Sequence, residues 1–170
     1  MQYDDRGLAL STESAETAHA LSLAAESFIG QKLDTMAHVN AALEADPGCV
    51  LGHLIKGLLI VGVRLPQRYP EARAELDAAR AGGTANEREQ GYIAALSALL
   101  NGQVLEAVSH YETLLQAYPL DLLAQRLAQL ELFWIGESVW MRNIIERAAP
   151  AWSGDVAGFT HFQALRAFGN

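Results

Sequence analysis

The chain has 170 residues, 51% of them hydrophobic, with 12 basic against 20 acidic residues and a formal net charge of −8. A chain of this length can form one domain with a sizeable core, and its acidic balance gains little from counterion release on a phosphate backbone, so nucleic acid is not an expected partner. Cys49, the single cysteine, excludes an internal disulfide and suits a reducing cytoplasm, the expected location.

Met1 to Arg6 carries neither a basic leader nor a following apolar run, so no secretory signal is expected. Ala and Leu dominate and β-branched residues are few, a mixture that favours helix. Turn residues cut the chain into successive helical segments. The first is predicted from about Ser14 to Ile29, stopping at Gly30, and the second from Lys32 to Ala45, closed by Asp46-Pro47. The third covers Gly48 to Val63. It is the most apolar stretch, but His53 and Lys56 interrupt it and it is too short to cross a bilayer, so no membrane partner is expected. After a loop from Arg64 to Tyr69, Pro70 suits the first turn of a fourth helix ending at Gly82-Gly83.

Asn86 and Glu89 have capping-box spacing and open a fifth helix that runs to Leu100, before Asn101-Gly102. The sixth runs from Val104 to Tyr118 and meets Pro119; the seventh covers Leu122 to Ile135, before Gly136. The eighth covers Ser138 to Ala149, and a last segment, Val156 to Phe168, is also helical in pattern. Tyr92, Leu96, Leu99 and Leu100 share one face of the fifth helix, and Ala107, Tyr111, Leu114, Leu115 and Tyr118 one face of the sixth. The fold class expected is all-α: an antiparallel helix-hairpin array, a tetratricopeptide-like α-solenoid of about nine helices.

The same interval separates Gly30 from Pro47 and Gly102 from Pro119. In each pair the glycine is expected to supply a left-handed turn between two helices, and the proline to stop the second. A tetratricopeptide unit has this design over about 34 residues. Degenerate repeats are read at about 14–47, 48–83, 86–121 and 122–155, followed by an unpaired helix at 156–168, all within one domain, 1–170.

Runs along the chain also resemble the tetratricopeptide repeat protein 38 (StaR-like) family. They are Leu10-Ser11-Thr12 with Ser14, Ala45-Asp46-Pro47 with Gly52-His53, and Gly57-Leu58-Leu59-Ile60 with Gly62. Glu87-Arg88-Glu89 with Ala94-Ala95, Asn101-Gly102, and Tyr118-Pro119 with Asp121 and Ala124 continue the series. Gly136, Met141-Arg142, and Pro150 with Trp152 complete it. Members of that family are longer, so the resemblance implies the N-terminal part of a larger architecture. It implies a helical-repeat fold, and an association of some members with glycopeptide antibiotic synthesis.

Chemistry-bearing residues are sparse. His19, His38, His53, His110 and His161 are dispersed, and the one Glu-x-x-His spacing, Glu16 with His19, does not make a metal site. No catalytic residue is assigned, and no metal or cofactor is expected: Gly82-Gly83-Thr84 lacks the lysine and preceding strand of a phosphate loop. His53, within an apolar helix, reads either as a ligand-facing acid or base or as a core histidine bonded to a neighbouring helix. Arg88 and Glu89 read either as a polar pair facing a concave groove or as helix-start capping. Trp134, Trp140, Trp152, Tyr111, Tyr118 and Phe133 line a groove or pack between repeats.

The leading functional expectation is a scaffold that holds a protein or peptide in a groove lined by first helices, with His53, Arg88 and Tyr92 as groove candidates. The alternative is all or part of an enzyme of secondary metabolism acting on a small aromatic or peptidic substrate. Phe159, Phe162, Leu165 and Phe168 give the last helix an apolar side with no following helix to cover it, which suggests a homodimer.

Overall fold

Polar caps and breakers divide the chain where its pattern places them. The computed structural model describes residues 1–169. Among them run nine helices: α1 Ala15–Ile29, α2 Thr35–Ala45, α3 Val50–Gly62, α4 Tyr69–Gly82, α5 Glu87–Leu100, α6 Val104–Ala117, α7 Leu122–Ile135, α8 Ser138–Ala148 and α9 Phe159–Gly169. Boundaries differ from the expected ones by up to about three residues, the usual fraying of helix ends. Short 3-10 turns, Pro66–Arg68 and Ala149–Ala151, precede α4 and follow α8.

Side-chain oxygens take up the backbone donors left free at helix starts. Ser14 Oγ accepts the Thr17 N–H at 3.1 Å at the start of α1. Asn86 and Glu89 form the full reciprocal capping box at the start of α5. Asp121 Oδ1 accepts the Ala124 N–H at 3.1 Å and so caps α7.

The helix ends correct one sequence expectation. Gly102 and Gly136 are left-handed, at φ 75° and 78°, but Gly30 is not: its φ is −72°, and Gln31 takes the left-handed position at φ 55°. The reason lies in the closing hydrogen bonds. Lys32 N–H bonds Ser27 O, Gln103 N–H bonds Ala98 O and Glu137 N–H bonds Leu132 O, each at 2.9 Å. All three helices thus end in the same Schellman closure, but the first repeat carries its glycine one residue early. Replacing Gln31 by glycine is therefore expected to stabilise the fold by about 0.5–1 kcal/mol, the relief of a left-handed L-residue less the glycine entropy. A thermal melt with an unchanged or lower midpoint would refute this.

The helices pack as hairpins in chain order, α1 with α2, α3 with α4, α5 with α6 and α7 with α8. The array is an all-α stack of helical hairpins, solenoid-like but sharply curved: α3 packs on α5, and α1 reaches across to touch α7. Helices α1, α3, α5 and α7 consequently form an inner layer. Its most enclosed member, α7, is buried on nearly every face from Leu122 to Gln129. Small residues allow close approach. A Cβ on Gly82 would lie 2.6 Å from the Gly48 carbonyl oxygen, so the end of α4 can meet the α2–α3 turn only without side chains. Tyr92, Leu96, Ala107 and Tyr111 lie fully inside the α5–α6 hairpin, where the two tyrosine rings meet edge to face at 6.2 Å.

Two features were not foreseen. Residues ahead of α1 form a small hairpin, in which strands β1 Gln2–Tyr3 and β2 Ala9–Leu10 pair antiparallel. Asp4 organises its turn by accepting the Arg6 and Leu8 N–H groups at 2.9 and 3.0 Å. The hairpin is tied to the array by Asn86 Nδ2 to Ala9 O (3.1 Å), Ser11 N–H to Glu89 Oε1 (3.0 Å) and Thr12 Oγ1 to Asp46 Oδ2 (2.6 Å). It therefore covers the N-terminal ends of the inner helices. The second feature corrects the reading of the last helix: α9 packs back on α7 and α8. Phe162 and Leu165 are buried there, so the apolar side expected to lie bare is largely internal, and only Phe168 stays half exposed.

Candidate functional site

The inner layer is sealed at one end and open at the other. At the sealed end Leu21, Leu51, Ile55 and Leu123 converge from α1, α3 and α7 with Leu10 and Arg88, leaving a void of only about 10 Å³. At the other end the last turns of α1, α3 and α5, the start of α2 and the second half of α7 surround an open cleft of about 510 Å³. Phe28, Met36, Leu58, Leu59, Leu99, Leu127 and Leu130 supply its apolar wall. Leu33, Val63 and Trp134 stand exposed on its lip. The concave groove expected along the whole array is thus closed by its own side chains for part of its length and open at the C-terminal ends of the inner helices.

Few polar groups enter this cleft: Lys32, Thr35, Arg64 and Glu131. Glu131 is buried, projecting from an otherwise apolar stretch of α7. Arg64 Nη2 donates to Glu131 Oε2 at 2.7 Å, and the guanidinium lies 5.2 Å from the centre of the Trp134 ring. Arg64 is itself left-handed, at φ 58°. Gln31 and Arg64, the non-glycine residues with positive φ among the described residues, follow α1 and α3, the two helices whose ends form one side of the cleft. Strained backbone of this kind collects where the surroundings must hold it.

None of the three groove candidates is among the residues lining the cleft. Arg88 is 4% exposed and Tyr92 fully enclosed. Their polar ends meet on Asp121: Arg88 Nε donates to Oδ2 at 2.6 Å, and the Tyr92 hydroxyl donates to Oδ1 at 2.7 Å. Arg88 also lies 3.9 Å from Asp4, which Arg6 pairs at 3.3 Å. The reading of Arg88 and Tyr92 as groove residues is corrected on this point. A buried carboxylate needs charged and hydrogen-bonded partners, and these two side chains are used for that. Burial alone would raise the Asp121 carboxyl. The charge of Arg88, with hydrogen bonds from Arg88, Tyr92 and the Ala124 N–H, outweighs it and holds the group below the usual carboxylate range. Burial also pushes the Tyr92 phenol well above its ordinary value, with Asp121 adding to the effect.

His53 sits on the outer side of α3. Its Nδ1 meets Glu75 Oε2 at 2.7 Å and its Nε2 the Pro47 carbonyl at 2.9 Å, so both ring nitrogens are engaged with the α2–α3 turn and α4. Glu75 also pairs with Lys56 at 2.7 Å. Burial would raise the Glu75 carboxyl, but the hydrogen bonds from His53 and Lys56 bring it below its ordinary value. The pattern is that of the histidine bonded to a neighbouring helix.

The aromatic residues divide between the two roles considered for them. Tyr111 and Trp152 are buried packing, Trp152 stacking on Phe162 with centroids 4.6 Å apart. Trp134 lines the cleft, and Phe133 lies edge-on to it at 5.7 Å. Cys49 is buried, and burial pushes its thiol up to about 11. Among the described residues, no group of three or more His, Cys, Asp or Glu is placed to hold a metal ion, and no helix is long and apolar enough to cross a membrane. No family model matches the chain, and no solved structure matches it.

The sequence reading missed Leu33, Arg64 and Glu131. A lone acid inside the apolar run of α7 was a usable signal for Glu131. Leu33, in a turn, and Arg64, in a loop, carry no pattern of their own.

Proposed function

We propose that this chain is a helical scaffold that binds a protein or peptide partner, with the open cleft at the C-terminal ends of the inner helices as its seat. The supporting observation is the cleft itself. Three inner helices end there, the fourth, α7, runs along it, and its apolar wall opens to solvent beside the exposed side chains of Leu33, Val63 and Trp134. A cleft of about 510 Å³ is large enough for two or three apolar side chains of a bound segment, and exposed aromatic anchors beside such a pocket are the usual centre of a binding interface.

The enzyme alternative drew on His53, whose ring is taken up by Glu75 and Pro47, so the scaffold reading is preferred. Self-association through α9 has less to draw on, since Phe162 and Leu165 are covered by α7 and α8. The net charge of −8 continues to argue against nucleic acid, and the buried thiol of Cys49 is compatible with a cytoplasmic setting. We extend the proposal to the tetratricopeptide repeat protein 38 (StaR-like) family, with this chain as the N-terminal part. The residues that carry the resemblance also have places in the fold. Asp121 caps α7, Gly102 closes α5 and Trp152 packs against α9.

Selection from a random peptide display library tests the reading. Peptides with a shared apolar core should be enriched on the wild-type protein and not on Leu59→Arg, which fills the cleft from a half-buried position. Equal enrichment on both, or none on either, would refute it.

A further inference from the structure

The charged groups of the cleft are Lys32, Arg64 and Glu131, and Arg64 is the cation paired with the buried carboxylate. Glu131 is buried among leucines of α7, and the Trp134 ring lies beside it. The last turns of α1, α3 and α5 reach the cleft and α7 ends beside it, so the negative ends of four backbone dipoles gather there against the one positive end of α2, which begins at Thr35 on the same wall. A carboxylate, an aromatic face and several helix C-terminal ends all favour a cation. Arg64 meets this demand imperfectly. Its backbone is held at φ 58°, and its Nε is buried with no hydrogen-bond partner while Nη2 bonds Glu131.

Resting on the binding reading above, we infer that the partner segment presents an arginine or lysine flanked by apolar residues, and that this side chain displaces Arg64 from Glu131 and Trp134. The exchange replaces one cation by another at the carboxylate, so Glu131 is never left bare. It releases Arg64 to a loop position where its guanidinium is hydrated and its backbone can relax. An acidic ligand is disfavoured by the same groups. The Arg64–Glu131 pair is already neutral, and an anion that reaches the buried carboxylate meets it and four helix C-terminal ends as like charges, against the attraction of Lys32 and the start of α2 on the same wall. Lys32 is exposed on the rim, where a long stem allows it to turn to water as a cation enters. The net charge of −8 also steers a basic segment toward the protein as a whole.

The experiment repeats the display selection and adds calorimetry. Selected peptides should share one basic position within an apolar core. Replacing that arginine by citrulline, which keeps the shape and removes the charge, should weaken binding about tenfold, the scale of one desolvated charge-assisted contact. Arg64→Ala should bind the arginine peptide several-fold more tightly than wild type, because the internal competitor is gone. In Glu131→Gln the arginine and citrulline peptides should bind alike. If Glu131→Gln does not fold by circular dichroism, Trp134→Leu serves in its place and should reduce the preference about threefold through loss of the ring face. Enriched apolar peptides with no basic position, or equal binding of the citrulline form, overturn the cation assignment and leave the scaffold reading standing. A preference for an acidic residue overturns it as well. No enrichment at all overturns both.

Discussion

Replacing Asp121 with alanine is expected to lower the thermal midpoint by about 10 °C, corresponding to roughly 3–5 kcal/mol for breaking a buried ion pair in a chain of this size. One carboxylate caps α7 through Ala124, neutralises Arg88 and accepts from Tyr92. Its removal leaves a buried guanidinium and a buried hydroxyl without their acceptor, and it frees the first turn of α7. Asp121→Asn separates charge from cap, since the amide oxygen can still accept from Ala124. The pH dependence follows from the depressed carboxyl. Such a group contributes stability that is fully present above its unfolded value near 4 and is lost as pH falls through its lower folded value. The wild-type protein should therefore lose stability below about pH 4 more steeply than Asp121→Asn does. Parallel acid limbs in the two proteins, or a midpoint shift of only a degree or two in Asp121→Ala, would show that the network contributes little.

Trp152→Ala is expected to have an effect of similar size, but concentrated at the end of the chain. The indole is buried, stacks on Phe162 and donates Nε1–H to the Pro119 carbonyl at 3.0 Å. Deleting a buried tryptophan typically costs about 3–5 kcal/mol, and here the contacts removed are those that fix α9. Amide hydrogen exchange in α9 should accelerate by about two orders of magnitude, while amides in α3 and α5 change far less. Trp152→Phe keeps the stack and gives up the hydrogen bond, at a cost of about 1 kcal/mol. Unchanged protection in α9 in the alanine variant would mean that Gln129, whose Nε2 donates to Leu165 O at 2.7 Å, holds the helix without it.

The helices were legible because their ends are written in local chemistry. Ser14, Asn86 with Glu89, and Gly102 act within a few residues of where they stand, and a short-range pattern suffices to find them. Gly30 misled for an equally local reason: a glycine signals that a left-handed residue is near, and the structure placed that residue next door at Gln31. The N-terminal hairpin left no signal, since its strands are two residues long and its anchors, Asn86 and Glu89, lie far along the chain. Arg88 and Tyr92 drew notice as polar groups at the start of an apolar helix. Whether such groups face a ligand or a partner depends on where Asp121 folds, and no spacing rule reports that. The cleft was the least legible part. Its walls come from five helices and two turns, and its chemistry rests on a loop arginine meeting a glutamate more than sixty residues away.

The contact between α1 and α7 alters how the molecule responds to loss of any part of it. In an open repeat array each unit touches only its neighbours, so the ends can unravel one unit at a time. Here the first inner helix rests on the last, and the segment ahead of α1 is bonded to α5. Detaching either terminus strips apolar cover from the other. Separation of α1 from α7 is thereby penalised on both sides, and the helices from α1 to α7 are expected to unfold together, while α9, which lies outside that contact, can open by itself. The same closure joins residues distant in sequence, so it is expected to form after the local hairpins in folding.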